Sequence, residues 1–269
     1  MLERPIPGSA RVDAMGPYPL LCCRDWSGIG DDLGDHAGAW VAATAVTDPL
    51  GGYDEALLRR QFDRVRPFKD HYIAEMTGPP EGYVSKSHRQ NARRALRKVD
   101  VEICEDALAH LDDWSALFAV LSRKHGITGL RAFSDESFAR QFSAPGLVMF
   151  RAVADGETVG LDLWYVDGDV AQGHLAAFSE RGYAAGASYA TKWAVLLHFL
   201  GRVRWVNFGG VPGDADTSAG GLRHFKRGWS NATRKSYLCS RVLDAWAYGE
   251  LCRNVPQTDF FPAYRAGEI

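Results

Sequence analysis

VRWVNFGGVPGDADTSAGGLRHFKRGW, residues Val203 to Trp229, places a short β-prone run, a glycine-rich stretch and a basic segment in immediate succession. Val203, Trp205, Val206 and Phe208 favour a strand, and Gly209, Gly210, Pro212 and Gly213 end it abruptly. Gly220 and Gly221 then lead into LRHFKRGWS, which reads as a short helix carrying Arg223, Lys226 and Arg227. That order sets cations beside a loop at the end of a sheet, a place where an anionic or thioester-bearing donor can sit. Composition alone suits a strand, a turn and a solvated surface helix equally well. The neighbouring segments have to decide.

Working outward, three strands precede this stretch: Leu147 to Val153, Thr158 to Val166 and Asp169 to Phe178. The connections ADGE and DGD between them carry Asp-Gly pairs that favour tight hairpins, so the spacing predicts an antiparallel meander. Gly186 to Leu200 follows as a helix, with Tyr189, Trp193, Leu196, Leu197 and Leu200 on one side. Further upstream, Asp112 or Asp113 can open an amphipathic helix through Trp114, Leu117, Phe118 and Leu121, and Ser134 can cap another through Phe138 and Phe142.

Before these lies YVSKSHRQNARRALRKVDVEI, with Ser87 as the expected cap of a helix ending near Val99 and a strand from Val101 to Cys104. Arg89, Arg93 and Arg97 lie four apart, and Arg94 and Lys98 extend the same side. Like charges at that spacing repel, so the helix is either a solvated face or a site for a phosphate-bearing partner. The first third reads as short strands at Leu20 to Cys23, Trp40 to Val46 and His71 to Met76, a loop from Gly28 to Gly38, and a helix from Asp54 to Val65 stopped by Pro67.

The whole chain sets bounds on these readings. Its 269 residues suffice for one large core or two smaller ones, and 46% hydrophobic with 24% charged residues describe an ordinary globular protein. A formal charge of -2 gives no global attraction to nucleic acid or anionic membrane, so any such contact needs a local patch. The five cysteines show no metal-ligand spacing, and no metal is expected. No apolar run has the length of a membrane span and the start lacks a secretory signal, so a cytoplasmic protein without membrane contact is expected.

The segments HLAAFSERGYAAGASYATKWAVL, VRWVNFGG and GLRHFKRGW, in this order after a meander, resemble the GNAT acyltransferase fold, and within it the FemAB-like, two-domain branch. Fem-type enzymes similarly carry a basic helix in the first half, here RQNARRALRK, and a phenylalanine-lysine pair near the end, here Phe225-Lys226. The resemblance implies an α+β chain of two GNAT-like halves, a degenerate one over residues 1–110 and a more complete, catalytic one over 111–269. It also implies a phosphate-binding turn of the form Gln/Arg-x-x-Gly-x-Gly/Ala. The chain offers Arg181-Gly182-Tyr183-Ala184-Ala185-Gly186, with Ala184 in place of the middle glycine. Arg181, Gly182, Ala184, Gly186, Ser188 and Phe225 are thus the expected donor-binding residues, with Arg93, Arg94 and Arg97 as phosphate ligands.

Amide formation from an ester or thioester needs the amine beside the carbonyl, a route for its proton and donors for the oxyanion. By resemblance, backbone N–H groups near His174 to Ala177 face the carbonyl where the central strands part, and Lys226 neutralises a donor phosphate or the developing charge. Asp162 and His174, polar residues inside apolar strands, are the alternative proton acceptors, and Tyr189 can protonate the leaving group. Three readings follow. The first is an N-acyltransferase moving an acyl group from acyl-CoA to a primary amine of a small or peptide-like acceptor. The second takes an aminoacyl group from aminoacyl-tRNA, with tRNA as partner. The third is a non-catalytic GNAT-like binding module. The donor is a cosubstrate in the first two, so no permanently bound cofactor is expected.

Overall fold

The computed structural model describes residues 1–17, 19–128, 133–211 and 219–268. In chain order the strands are β1 (Leu2–Pro5), β2 (Val12–Met15), β3 (Trp40–Val46), β4 (Arg64–Glu75), β5 (Asp100–Cys104), β6 (Leu147–Ala154), β7 (Glu157–Asp167), β8 (Val170–Phe178), β9 (Trp205–Asn207) and β10 (Ala232–Val242). The helices are α1 (Ile29–Gly34), α2 (Glu55–Gln61), α3 (Lys86–Ala95), α4 (Leu111–His125), α5 (Asp135–Phe142), α6 (Glu180–Ala185), α7 (Ala187–Phe199), α8 (Ala219–Arg227) and α9 (Ala245–Cys252). The chain forms two compact units, one of Met1–Asp70 with Arg234–Ile269 and one of His71–Thr233.

In the first unit β1 runs antiparallel to β2, β2 parallel to β3, and β3 antiparallel to β10. Its core gathers Trp26, Leu33, Trp40, Leu58, Phe62 and Cys239. The expected loop at Gly28 to Gly38 contains α1, because Ile29 and Leu33, one helical turn apart, both find that core. The helix α2 is capped by Asp54, whose carboxylate accepts from the Leu57 N–H at 2.7 Å. It stops at Gln61, and Pro67 lies inside β4.

In the second unit the strand order is β4-β9-β8-β7-β6-β5. From β5 to β8 each neighbour is antiparallel, and the expected meander is present. Its first hairpin turns on Asp155 and Gly156, both at positive φ (49° and 82°), the geometry for which an Asp-Gly pair is suited. Side chains alternate across the meander. Phe150, Trp164 and Ala171 pack with Ala92 of α3 and with Val195, Leu196 and Phe199 of α7. Met149, Leu161, Leu163 and Ala177 pack instead with Trp114, Leu117 and Phe118 of α4 and Phe138 and Phe142 of α5.

Besides a register shift between β6 and β7 at Ala152 and Val153, two irregularities lie nearer the middle of this sheet. Opposite Leu163 and Trp164 stand Leu175 and Gly173, so His174 is the extra residue of a β-bulge. The strand β9 pairs parallel with β8 only from Val170↔Trp205 to Gln172↔Asn207, although β8 continues to Phe178. Beyond Asn207 the backbone follows β4: Phe208 N–H donates to Tyr72 O at 2.9 Å and Tyr72 N–H to Gly209 O at 3.3 Å. The sheet therefore forks between β8 and β9, as the resemblance implied.

Candidate active site

The helix α3 begins at Ser85, two residues before the expected cap, with the Ser85 hydroxyl accepting from the His88 N–H at 3.3 Å. Ala92 and Ala95 turn inward and Arg93, Arg94 and Arg97 outward. The small inner residues allow α3 to lie close to α7, and Gly186 makes the closest approach possible. Gly186 has a φ of 80°, and a Cβ there would come within 3.2 Å of the Ala95 Cβ. Beside this contact is a cleft of about 280 Å³ lined by Asn91, Arg94 and Ala95 of α3, by Lys98 in the turn after it, by Tyr183 to Gly186, and by Tyr189. Arg94 and Lys98 open to the same space, and the first turn of the thirteen-residue α7 adds its positive dipole end. Exposed Arg93 and Arg97 are not among the lining residues.

The turn itself is closed on itself. Residues 180–185 form α6, capped by Ser179, whose hydroxyl accepts from the Gly182 N–H at 3.1 Å. Tyr183 N–H donates to Ser179 O at 2.9 Å and Gly186 N–H to Tyr183 O at 3.0 Å. Gly182 is required here, because a Cβ would overlap the Val159 carbonyl. The Arg181 guanidinium leans on the first meander hairpin, bonding Glu157 at 2.9 Å and also Asp155. Ser188, half-buried, accepts from the Thr191 hydroxyl through its carbonyl. Of the expected turn residues, Ala184 and Gly186 face the cleft.

The two strand candidates for proton transfer both have partners. Asp162 is 1% exposed and receives the Lys192 ammonium from α7 at 2.6 and 2.7 Å, with the same ammonium 4.9 Å from the Trp164 ring centroid. His174 donates from Nε2 to the Gln141 side-chain oxygen at 2.7 Å, an orientation set because the Gln141 amide donates to Ser137 Oγ. Burial pushes the His174 imidazole down to about 4. Such a ring is neutral at pH 7 and accepts a proton poorly there. Lys192 and Gln141 were not singled out from sequence, where they lie thirty and thirty-three residues from Asp162 and His174.

At the fork, the loop after β9 meets α8. The Lys226 ammonium donates to Gly210 O at 2.5 Å, directly past the point where β9 leaves β8. The segment between, residues 212–218, lies outside the described residues, including the expected turn at Pro212 and Gly213. Phe225 packs against Tyr189 (5.1 Å between centroids) and Trp229 (6.0 Å), so Tyr189 borders both the cleft and the Lys226 helix. Buried under this cluster is His88, which stands in the basic run of α3 but is 1% exposed. Burial lowers its imidazole below the ordinary range.

Similarity to known proteins agrees with this geometry. The family model for an acetyltransferase (GNAT) domain matches residues 86–227, from the first turn of α3 to the last of α8. No curated protein matches the sequence. Among solved structures, FemX superposes with a TM-score of 0.70 at 12% identity, covering 92% of this chain and 85% of its own. The C-terminal domain of a putative lysylphosphatidylglycerol synthetase from Agrobacterium fabrum gives 0.61 at 16% identity, covering 87% and 77%. The L-PGS structure from Bacillus licheniformis gives 0.54 at 17%, covering 77% and 69%. Among the described residues no helix is long and apolar enough to cross a membrane. With the match spanning more than half of the sequence and the forked sheet in place, the chain belongs to the GNAT acetyltransferase-domain family.

Proposed function

We propose that the chain transfers an aminoacyl group from aminoacyl-tRNA to a primary amine, forming an amide. One observation carries the choice of donor. The turn expected to cradle a pyrophosphate spends the Gly182, Tyr183 and Gly186 amides in and around α6, while the cations lining the cleft are the side chains of Arg94 on α3 and Lys98 in the turn after it. A donor held by side-chain charge on its phosphate backbone suits that arrangement better than a coenzyme pyrophosphate held by main-chain N–H groups. The likeness in fold to FemX is consistent with it.

In this reading the acceptor nitrogen attacks the ester carbonyl at the fork between β8 and β9. Main-chain N–H groups near the His174 bulge and the Lys226 ammonium steady the oxyanion. The C–O bond to the ribose then breaks, the nitrogen's proton passing to solvent water while one arrives on the ribose oxygen. Tyr189, bordering the cleft, is the residue we assign to that delivery. Asp162 and His174 we assign to holding the sheet, since the carboxylate is engaged by Lys192 and an imidazole lowered to about 4 is a poor acceptor at neutral pH.

A second reading, acyl transfer from acyl-CoA, is favoured by the match to the acetyltransferase domain model. The test offers labelled aminoacyl-tRNA and acetyl-CoA separately with a panel of small and peptide-like amines. Product from aminoacyl-tRNA, reduced about 100-fold or more in Lys226→Ala with unchanged circular dichroism, is expected. Product from acetyl-CoA alone would overturn the donor. Donor binding without turnover by either route would leave the chain as a non-catalytic module.

A further inference from the structure

The carbonyls of a helix's last turn have no partner within the helix, and in α8 one of them belongs to Phe225, the residue before Lys226. That carbonyl accepts from Nε2 of His88 at 3.0 Å. The other ring nitrogen of His88 meets the Ser85 hydroxyl at 2.8 Å, so the imidazole spans from the start of α3 to the end of α8. A second tie runs alongside, Ser85 N–H to Gly228 O at 2.9 Å. Gly228 lies flat on the ring, where a Cβ would overlap it, and Trp229 closes its edge with centroids 5.0 Å apart. Polar groups this buried are costly unless bonded, and the ring has a bond at each nitrogen. Farther along, Arg94 near the end of α3 and Lys98 in the turn after it line the cleft.

We infer that His88 is a positioning residue: through the Phe225 carbonyl it fixes the end of α8 and so holds the Lys226 ammonium at the fork, in register with the helix that presents the donor cations. This rests on the role given to Lys226 above, but the geometric part can be tested without any turnover. Glutamine can replace the imidazole Nε2 as a donor, whereas asparagine matches only Nδ1 and falls short of Phe225. His88→Gln and His88→Asn therefore separate the hydrogen bond from general packing, and the pair suffices if His88→Ala does not fold.

The first readout is the acetic anhydride reactivity of Lys226, followed by peptide mass spectrometry. It should rise about tenfold in His88→Asn and His88→Ala and stay within twofold of the parent in His88→Gln. The second is transfer: kcat falling about tenfold in His88→Asn with donor KM within twofold, restored in His88→Gln, and no further fall when His88→Ala is added to Lys226→Ala. Equal Lys226 reactivity in the Asn and Gln variants, or losses that add to those of Lys226→Ala, would overturn the inference. Absence of product from the parent protein would refute the transfer reading alone, because the labelling arm still decides where Lys226 is held.

Discussion

The run from β7 to α6 and the helix α3 border one cleft, yet they treat their polar groups in opposite ways. Along the first, Asp162 is bound to Lys192, His174 to Gln141, Arg181 to Glu157 and Asp155, and the Gly182 amide to Ser179. At the end of α3 and in the turn after it, Arg94 and Lys98 face the cleft, and among the described residues neither is paired with a carboxylate. A charge already met by its opposite has little left to offer a ligand, whereas an uncompensated pair four residues apart gains by binding an anion. The proposed donor reading rests on this difference: cations at the C-terminal end of α3 and in the turn after it, opposite a turn whose amides are spent in and around α6.

The largest effect should come from the helix. Arg94→Ala combined with Lys98→Ala should weaken binding of the tRNA donor about 100-fold, two charge-assisted contacts being worth roughly that much. Both side chains are exposed, so the urea midpoint should hardly move. Fluorescence anisotropy across a salt series checks it, and the slope of log K against log salt should flatten by about 1 to 2. Unchanged affinity would break the comparison at its stronger side.

Next is the joint between the two regions. Gly186→Ala forces a side chain into a φ of 80° and sets its Cβ 3.2 Å from that of Ala95. Thermal unfolding should show a loss of about 2 kcal/mol, from the left-handed strain and the displaced helix together. Donor affinity should fall as well, because α3 and α7 can no longer meet at the same distance.

His174 sharpens the comparison through pH. Its folded-state value near 4 lies below the ordinary 6.5, so between these limits the unfolded chain holds the extra proton. The stability it contributes is complete above about 6.5 and is lost as the pH falls toward 4, on the order of 1 kcal/mol per pH unit. His174→Gln should flatten that stretch of the stability curve while leaving donor affinity unchanged. A loss of affinity instead would mean that the saturated side also reaches the ligand.

How far these contrasts could be read from sequence depends on the range of the interaction. The meander was legible because Asp155-Gly156 and Gly168 sit at turn positions between alternating apolar runs, and Ser134 caps α5 as its spacing suggests. The place of Lys226 after a glycine-rich approach could be read from the order of segments, whereas the charge repeat offered Arg93, Arg94 and Arg97 alike and only Arg94 of the three lines the cleft. What escaped were partners distant in sequence: Lys192 thirty residues from Asp162, Gln141 thirty-three from His174, and His88 one hundred thirty-seven from Phe225. Periodicity reports which way a side chain faces and is silent on which group it will meet. His88 in particular is hidden in a charge run where six basic neighbours are exposed or half-buried.

The smallest effect carries the sharpest decision. Arg181 has the position a phosphate-binding arginine would have, but its side chain is 44% exposed and its partners Asp155 and Glu157 are 90% and 74% exposed. Surface pairs of this kind contribute only about 0.5 kcal/mol, so Arg181→Ala should scarcely change stability. It would, however, release the two carboxylates that Arg181 of α6 now holds, and their repulsion of an anionic donor should lower affinity by about twofold at low salt. With screening over ~3 Å at 1 M salt that loss should disappear, whereas a direct phosphate contact would leave a residue of lost affinity after screening. A loss from Arg181→Ala as deep as that from the α3 pair would place the phosphate on the turn after all, return the main-chain amides to service, and favour acyl-CoA over aminoacyl-tRNA as the donor.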